Sequence, residues 1–337
     1  MSRYRVLSLF SGIGGTEIGL KGGFRFLDKE YDRLPTDLVF ANDIDTGARE
    51  LFDANFSIKS NGTDIRKLNI FDLPDADIVT GGFPCQSFSV SATNPPRLGI
   101  KDDRGQLFFD MNRVLQIKHP KVFIAENVKG IFSANDGKAF PLIIKTFEES
   151  GYNVSYHLFH SEQYGVPQKR QRVFIVGFRK DLDVKFSFPE PIIKEESSYV
   201  PIKKILETNV NEKYFFSKRA VEGLKKSKNS KAMNKGRAQN INRPSNTVGA
   251  HLAKVSLNST DPVLLDNGRY RRFTPREVAR IQSFPEDYKL VGSQTQQYRG
   301  LGNAIPPVLM WYIARNVVKA LNNATYRQRA VTQISLF

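Results

Sequence analysis

The chain has 337 residues, 40% of them hydrophobic and 25% charged, which suits a globular protein of two domains or of one large and one small domain. Its 50 lysines and arginines against 34 acids give a formal charge of +16, which favours a polyanionic partner such as nucleic acid, although a merely soluble basic protein could share it. A single cysteine excludes an internal disulfide and favours a reducing compartment, and neither a membrane span nor a signal peptide is evident. We therefore expect a cytoplasmic protein without membrane contact.

The chain opens with a strand, a glycine turn and a helix. Residues 5–10 predict the strand, residues 11–15 the turn and residues 16–21 the helix, an order typical of nucleotide-binding α/β units. Glu17 stands where the third glycine of the dinucleotide-binding pattern would be. Because a carboxylate is a poor neighbour for pyrophosphate, the turn favours a ligand without phosphates.

Two acids follow the next predicted strands. Leu38–Ala41 predicts the second strand, and Asp43 after it suits hydrogen bonding to ribose hydroxyls. A cap on the helix that begins near Thr46 is an equally good interpretation, and the two do not exclude each other. A third short strand is predicted to end near Thr63–Ile65, which would bring Asp64 to the same edge.

The only cysteine lies in a glycine-rich loop after a fourth predicted strand, Ala76–Thr80. Two glycines before Cys85 allow close backbone approach, and Pro84 restricts the chain next to the sulfur. A lone cysteine is often just a small buried hydrophobe. The loop setting makes Cys85 a candidate nucleophile, and the polar stretch up to Gly105 resembles a mobile lid.

Further charged residues follow two more predicted strands. Val122–Ala125 delivers Glu126 to the edge that carries Cys85. The carboxylate could cap a helix, or it could face a pocket whose apolar walls raise its pKa. Arg170 and Arg172 alternate at strand spacing, so both are expected on one face, where they suit phosphate or carbonyl oxygens.

The composition changes at Arg179. From there to Arg243 there are 16 lysines and arginines against 8 acids. A solvated charged face would look similar, but glycine, asparagine and arginine interleave in Lys235–Asn240, which suits a loop entering a DNA groove. We interpret this segment as a small separate domain. Beyond it, Thr274 and Glu277 predict a capped helix, and a last helix is expected from Val308 to Leu321.

Several segments, in their order along the chain, resemble the motifs of the DNA (cytosine-5) methyltransferase family. They are a cofactor turn (Phe10–Gly15), a catalytic loop (Gly82–Gln86), a carboxylate motif (Glu126–Val128), an arginine motif (Gln168–Arg172), the motif closing the variable region (Arg243–Val248) and the last motif (Gly302–Pro306). The resemblance implies an α/β fold with a Rossmann-like S-adenosylmethionine-dependent domain of mixed, mostly parallel sheet, built from residues 1–182 and 300–337. A small basic target-recognition domain with a hinge would occupy residues 183–299.

The resemblance also implies the cofactor S-adenosyl-L-methionine, the product S-adenosyl-L-homocysteine and no metal. Phe10 would pack on the adenine, Asp43 bind the ribose, Asp64 reach the adenine amine and Asn303 close the pocket. Ile44 stands where some members have a bulkier aromatic residue, and Phe24–Thr36 is longer than usual without a predicted role. The complete set of implied cofactor residues is Phe10, Gly12, Gly14, Asp43, Ile44, Asp64, Pro84 and Asn303.

For catalysis, the resemblance implies that Cys85 adds to C6 of a flipped-out cytosine. Glu126 would hydrogen-bond N3 and the exocyclic amine, Arg172 would hold the carbonyl oxygen, and Arg170 would hold a phosphate or the loop itself. The partner would be double-stranded DNA, bound by a monomer of bacterial or phage origin, with a separate restriction endonuclease as a common companion. The predicted DNA contacts are Gln86, Ser89, Ser91, Arg237, Gln239, Asn240, Arg243 and Lys254.

Three other functions compete with this interpretation. An RNA cytosine-5 methyltransferase would keep the same motifs, although the basic variable segment favours duplex DNA. A nicotinamide-dependent oxidoreductase would leave Cys85, Glu126 and the basic segment without a purpose. A catalytically inactive DNA-binding protein would not need every catalytic position filled.

Overall fold

The computed structural model describes residues 3–83, 107–226, 237–253 and 261–334. The strands in this part of the chain are β1 (Tyr4–Leu9), β2 (Phe24–Phe26), β3 (Lys29–Tyr31), β4 (Thr36–Asn42), β5 (Ile78–Gly81), β6 (Val122–Val128), β7 (Tyr152–His160), β8 (Gln168–Lys169), β9 (Gln171–Arg179), β10 (Ser245–Asn246), β11 (Leu264–Asp266) and β12 (Arg269–Arg271). The α-helices are α1 (Gly15–Lys21), α2 (Thr46–Asp53), α3 (Leu107–Lys118), α4 (Ala139–Glu149), α5 (Lys218–Lys226), α6 (Pro275–Ile281), α7 (Gln294–Asn303) and α8 (Pro307–Ile334). None of these helices is both long and apolar enough to cross a membrane.

A six-stranded sheet in the order β4-β1-β5-β6-β9-β7 forms the centre of the fold. The first four strands in that order are parallel neighbours, and β9 pairs antiparallel with β6 and β7. The central strands are continuous apolar runs because one hydrophobic cluster, which includes α8, covers one face and another, with α3 and α4, covers the other. The predicted α/β fold with a mixed, mostly parallel sheet is confirmed.

The predicted third strand near Thr63 is wrong. The segment makes only an isolated bridge between Asn42 and Asn61 and then turns into a short 3₁₀ helix at Ile65–Lys67. The Asn42 side chain donates to the carbonyls of Asn61 at 3.0 Å and Thr63 at 2.8 Å. Two backbone hydrogen bonds join the segment to β4, from the Asn61 amide to the Ala41 carbonyl at 2.8 Å and from the Asp43 amide to the Asn61 carbonyl at 3.1 Å, and beyond them the Asn42 side chain provides the contact.

The segment without a predicted role, Phe24–Thr36, contains the β2–β3 hairpin, and the hairpin packs on α8. Tyr31 stacks on Phe24 with ring centroids 4.9 Å apart and meets the edge of Trp311 at 5.2 Å. The Trp311 indole donates to the Asp32 carbonyl at 2.9 Å. Because α1 also packs on α8, the hairpin clamps the first strand–helix unit to the end of the chain.

Replacing Tyr31 with alanine should test this clamp. The side chain is 3% exposed, so its removal leaves a cavity and should lower the free energy of unfolding by about 3 kcal/mol. The measurement is urea unfolding, with Tyr326→Ala as the control because Tyr326 is 76% exposed. Equal stability of the two variants would contradict the role of the hairpin.

A buried ion pair organises the region before the last two helices. Arg271 and Glu277 are 1% and 0% exposed at the side chain and contact each other at 2.8 Å. Glu277 also completes the predicted capping box with Thr274, which is confirmed. Removing one partner of such a pair would leave the other charge buried and unpaired, which is strongly unfavourable. Arrangements of this segment that separate Arg271 from Glu277 are therefore disfavoured.

Two predicted limits change. Helix α7 runs without a break through the predicted domain limit between residues 299 and 300. A Cβ on Gly300 would lie 2.5 Å from the Ile13 side chain, so this helix packs directly on the glycine turn. The predicted limit therefore lies within a helix, and we propose that the second unit ends before Gln294. Helix α8 also continues to Ile334, beyond its predicted end at Leu321.

Candidate active site

Four functional segments meet at the carboxyl edge of the parallel strands. Phe10 follows β1, Asp43 follows β4, Gly82 follows β5, and Glu126 lies near the end of β6. Adjacent parallel strands end at one edge, which is where open α/β sheets bind ligands. Phe10 has a φ of +53°, a left-handed conformation that is unusual for an aromatic residue and is typical of functional turns.

The glycine turn has one open side and one packed side. A Cβ on Gly12 would meet nothing within 4 Å, and the Gly12 amide donates to Asp43 Oδ2 at 2.8 Å. On the other side, a Cβ on Gly15 would lie 2.2 Å from the Ile305 carbonyl, and one on Gly14 would meet the Phe56 ring at 2.2 Å. Gly12 thus lies on the open side of the turn, whereas Gly14 allows close packing behind it.

The two acids after β4 have separate contacts. Asp45 caps α2 by accepting from the Ala48 amide at 2.9 Å. Asp43 accepts from the amides of Gly12 and Asp45, both at 2.8 Å, and burial raises its pKa. The helix cap is therefore Asp45, and Asp43 stays a candidate for the ribose.

The outer candidates for the cofactor site differ in accessibility. Ile44 is 65% exposed, and Asn303 is also exposed. Asp64 receives the guanidinium of Arg66, with Nε at 3.0 Å from Oδ1, and this hydrogen bond lowers the pKa of Asp64. The Asp64 carboxylate is therefore already hydrogen-bonded to Arg66 and would have to share its oxygens to bind an adenine amine.

Glu126 and Arg172 form a close pair across β6 and β9. Arg172 Nε lies 2.8 Å from Glu126 Oε1, and both side chains are 14% exposed. Burial raises the pKa of Glu126, with Arg172 and Arg170 opposing that change. Glu126 lies within β6, so it does not cap a helix.

The start of the predicted catalytic loop lies against this pair. A Cβ on Gly82 would be 3.3 Å from Glu126 Oε2, and Asn127 Nδ2 donates to the Phe83 carbonyl at 3.4 Å. The chain thus enters its loop beside Glu126. Cys85 and the predicted contacts Pro84, Gln86, Ser89 and Ser91 lie outside the described residues.

Arg170 lies in a buried junction. It is 1% exposed and donates to the carbonyls of Val248 at 3.2 Å and Gly302 at 3.0 Å. These contacts hold the arginine motif, the motif closing the variable region and the last motif together, and they leave no surface for a phosphate. Of the two predicted roles for Arg170, the geometry favours holding the protein itself.

The same junction contains a glutamine pair that our sequence interpretation did not include. Gln168 Nε2 donates to Gln282 Oε1 at 2.7 Å, and the Val248 amide donates to Gln168 Oε1 at 2.9 Å. Both glutamines are 0% exposed. Gln168 belongs to the arginine motif and could have been singled out, whereas nothing in the local sequence marks Gln282.

A small cleft lies between the start of α1 and Glu126. Its polar wall consists of side chains and glycines from β1, α1, β5 and β6, and its apolar wall comes from the sheet and the last motif. The lining residues are Ser8, Leu9, Thr16, Thr80, Gly81, Gly82, Ile124, Glu126, Phe174, Ile305 and Met310. Within the described ranges, no group of three or more His, Cys, Asp or Glu residues could hold a metal ion.

A family model described as C-5 cytosine-specific DNA methylase matches residues 4–319. This chain belongs to that family. The methylase is 35% identical to the type II methyltransferase M1.ScrFI of Lactococcus lactis subsp. cremoris, over 96% of this chain and 80% of that protein. It is 33% identical to the type II methyltransferase M.FnuDI of Fusobacterium nucleatum, over 99% of both chains. Its fold resembles the Entamoeba histolytica methyltransferase EhMeth, with a TM-score of 0.74 at 18% identity, covering 95% of this chain and 99% of that one.

The predicted DNA contacts of the methylase differ in their exposure and in their hydrogen bonds within the protein. Asn240 and Arg243 are exposed, as base or backbone contacts must be. Gln239 is engaged within the protein, since its side chain donates to the Arg237 carbonyl at 2.9 Å and accepts from the Asn246 amide at 2.7 Å. Lys254 lies outside the described residues.

Arg237 is enclosed by the protein. The residue is 4% exposed, its Nε donates to the Asp261 carbonyl at 3.0 Å, and burial lowers the pKa of its guanidinium. A side chain so enclosed does not present its donors to a groove. The geometry therefore disfavours the prediction that Arg237 reads a guanine, and leaves Asn240 and Arg243 as the better candidates.

Proposed function

We propose that this methylase methylates C5 of one cytosine within a specific double-stranded DNA sequence, with S-adenosyl-L-methionine as cofactor. We further propose that it serves as the modification enzyme of a restriction–modification system, because relatives over nearly its full length are named type II methyltransferases. The observation that carries the reaction is the Glu126–Arg172 pair at the start of the Cys85 loop.

The residues at the glycine turn suit this cofactor. Gly12 leaves open space, Asp43 offers a partly buried carboxylate for ribose hydroxyls, and Phe10 follows the end of β1. The buried acid Glu17 follows the turn, which disfavours a ligand with phosphates. When bound, the cofactor supplies a methyl group made electrophilic by its sulfonium.

The roles of the protein groups follow from the weak nucleophilicity of cytosine C5. Addition of the Cys85 thiolate to C6 converts the ring into an enamine, whose C5 is nucleophilic. Burial raises the pKa of Glu126 and so favours its protonated form, in which it can donate to N3 as charge develops there. Arg172 holds the carbonyl oxygen and keeps Glu126 in place. After methylation, loss of the C5 proton expels the thiolate.

The target base must leave the duplex. The Glu126 side chain is only 14% exposed and lines the cleft, so a cytosine that stays stacked within a duplex could not reach it. Flipping the cytosine costs a few kcal/mol in stacking and pairing, which contacts from the basic region offset. We propose that this region, which begins at about residue 183 and ends before α7, is the target-recognition unit of a monomeric enzyme.

The test is methyl transfer from labelled cofactor to duplex DNA, to RNA and without nucleic acid. Incorporation into DNA alone is expected, and bisulfite sequencing of DNA from an unmethylated host would then give the recognition sequence. Incorporation into RNA alone would support the competing RNA methyltransferase. Label in neither substrate, from a protein that binds duplex DNA, would favour an inactive DNA-binding protein.

The exposed and buried polar residues of the basic region should behave differently on substitution. Arg243→Ala and Asn240→Ala should weaken binding to DNA. If the residue contacts a base, the loss should be roughly 1–3 kcal/mol on the cognate duplex and much smaller on scrambled DNA. If it contacts a phosphate, the loss should be equal on the two duplexes. Arg237→Ala should instead lower the free energy of unfolding, because Arg237 is buried. Fluorescence anisotropy at two salt concentrations and urea unfolding separate these effects. Unchanged stability of Arg237→Ala with lost DNA discrimination would restore the original prediction.

A further inference from the structure

Glu17 is a buried acid that takes no part in the reaction described above. It lies in the first turn of α1 and is 3% exposed. Its Oε1 accepts a short hydrogen bond from the Ser8 hydroxyl. Its Oε2 is buried and has no hydrogen-bond partner among the described residues. A buried carboxylate with one oxygen unsatisfied is costly, and packing alone does not account for it.

A chain of hydroxyl groups connects this acid to the cleft. The Thr80 hydroxyl donates to Ser8 Oγ at 3.2 Å, and Ser8 donates in turn to Glu17. Ser8 and Thr80 both line the cleft, as does Thr16, which precedes Glu17 in the chain. The carboxyl group therefore lies directly behind the cleft wall, with one hydroxyl between them.

The groups facing Glu17 do not neutralise it. Asp43, which acts on Glu17 electrostatically, carries a charge of the same sign, while Tyr288 contributes a neutral phenol. No lysine, arginine or histidine within the described ranges forms an ion pair with Glu17. Burial raises the pKa of Glu17 to about 7, so near neutrality the group is divided between its acid and its carboxylate form.

We propose that Glu17 is the counter-charge for a cationic ligand in the cleft and makes the enzyme favour the sulfonium form of its cofactor over the uncharged thioether product. This inference rests on the proposed function, since the cation is the sulfonium of S-adenosyl-L-methionine. The residue acts through space and through Ser8, so it is a positioning residue and not a catalytic one.

The sign of the pH dependence follows from linkage. A nearby cation stabilises the carboxylate, so binding S-adenosyl-L-methionine lowers the pKa of Glu17 and releases a proton near pH 7. The affinity for the sulfonium ligand should therefore rise, relative to that for S-adenosyl-L-homocysteine, as the pH increases from 6 to 8. A decrease of one pKa unit on binding would raise the ratio of the two affinities about fivefold between pH 6 and pH 8.

Isothermal titration calorimetry tests this without relying on turnover. Both ligands are titrated into the full-length protein at pH 6, 7 and 8, in phosphate and in imidazole buffers, whose ionisation enthalpies differ. We expect proton release with S-adenosyl-L-methionine that exceeds the release with S-adenosyl-L-homocysteine. Glu17→Gln, which can still accept from Ser8, should lose the pH dependence of the affinity ratio.

Asp43→Asn is the matched control, because Asp43 is also a partly buried acid at the turn. It should weaken both ligands equally, since the ribose is common to them. An affinity ratio in the wild type that does not change with pH would overturn the inference, and so would a Glu17→Gln variant that keeps the pH dependence. Binding of neither ligand to the wild type would overturn the proposed cofactor as well.

Discussion

Replacing Cys85 with serine is expected to reduce methyl transfer by several orders of magnitude while leaving cofactor and DNA binding nearly intact. A hydroxyl is a far weaker nucleophile than a thiolate, and without addition at C6 the cytosine C5 stays unreactive. The position of Gly82 against Glu126 brings the start of the loop to the acid that must act in the same step. Single-turnover transfer of labelled methyl groups, at saturating enzyme, measures the chemical step.

A duplex with 5-fluorocytosine at the target position makes the covalent step visible. The ring then has no C5 proton to lose, so the wild type should remain attached to the DNA in a denaturing gel. Cys85→Ser should give no such band on the same duplex. Substantial turnover by the serine variant, or a wild type that leaves no adduct on the fluorinated cognate duplex, would contradict nucleophilic catalysis by Cys85.

Replacing Glu126 with glutamine is expected to lower the single-turnover rate by about 10²–10³ with DNA affinity almost unchanged. The amide keeps the size of the side chain and can still accept from Arg172, but it cannot supply a proton to N3. A loss of DNA affinity with normal single-turnover chemistry would instead make Glu126 a positioning residue.

The pH profile gives a second measurement on the same acid. Burial raises the pKa of Glu126, and the reaction needs its protonated form, so the single-turnover rate should fall as the pH rises through that pKa. Glu126→Gln should lack this alkaline decline. Arg172→Ala removes the neighbouring cation that lowers the pKa of Glu126, so residual activity in that variant should decline at a higher pH. If the rate of both variants falls at the same pH as that of the wild type, the decline is caused by the titration of another group.

Much of the site was predictable because its residues follow strands. The apolar runs before Asp43, Gly82 and Glu126 mark buried parallel strands, and such strands end at one edge whatever the rest of the chain does. The predicted strand near Thr63 failed for a local reason, since the backbone pairing stops after one bridge and the Thr63 carbonyl accepts from the Asn42 side chain. Hydrophobic periodicity does not reveal a hydrogen bond from a side chain to a backbone carbonyl.

Periodicity, glycine spacing and the order of the motifs were enough to determine the α/β fold, the family and the edge that carries the site. The partners of its polar side chains were decided by the tertiary structure alone. Arg170 looked like a second substrate arginine, yet it binds carbonyls 78 and 132 residues away in the chain. Arg237 had the donors of a base-reading residue but is buried, and the Phe24–Thr36 segment acquired a role only through Trp311. Local sequence sets which face of an element is apolar, whereas burial and hydrogen bonding of a long polar side chain depend on which distant backbone folds over it.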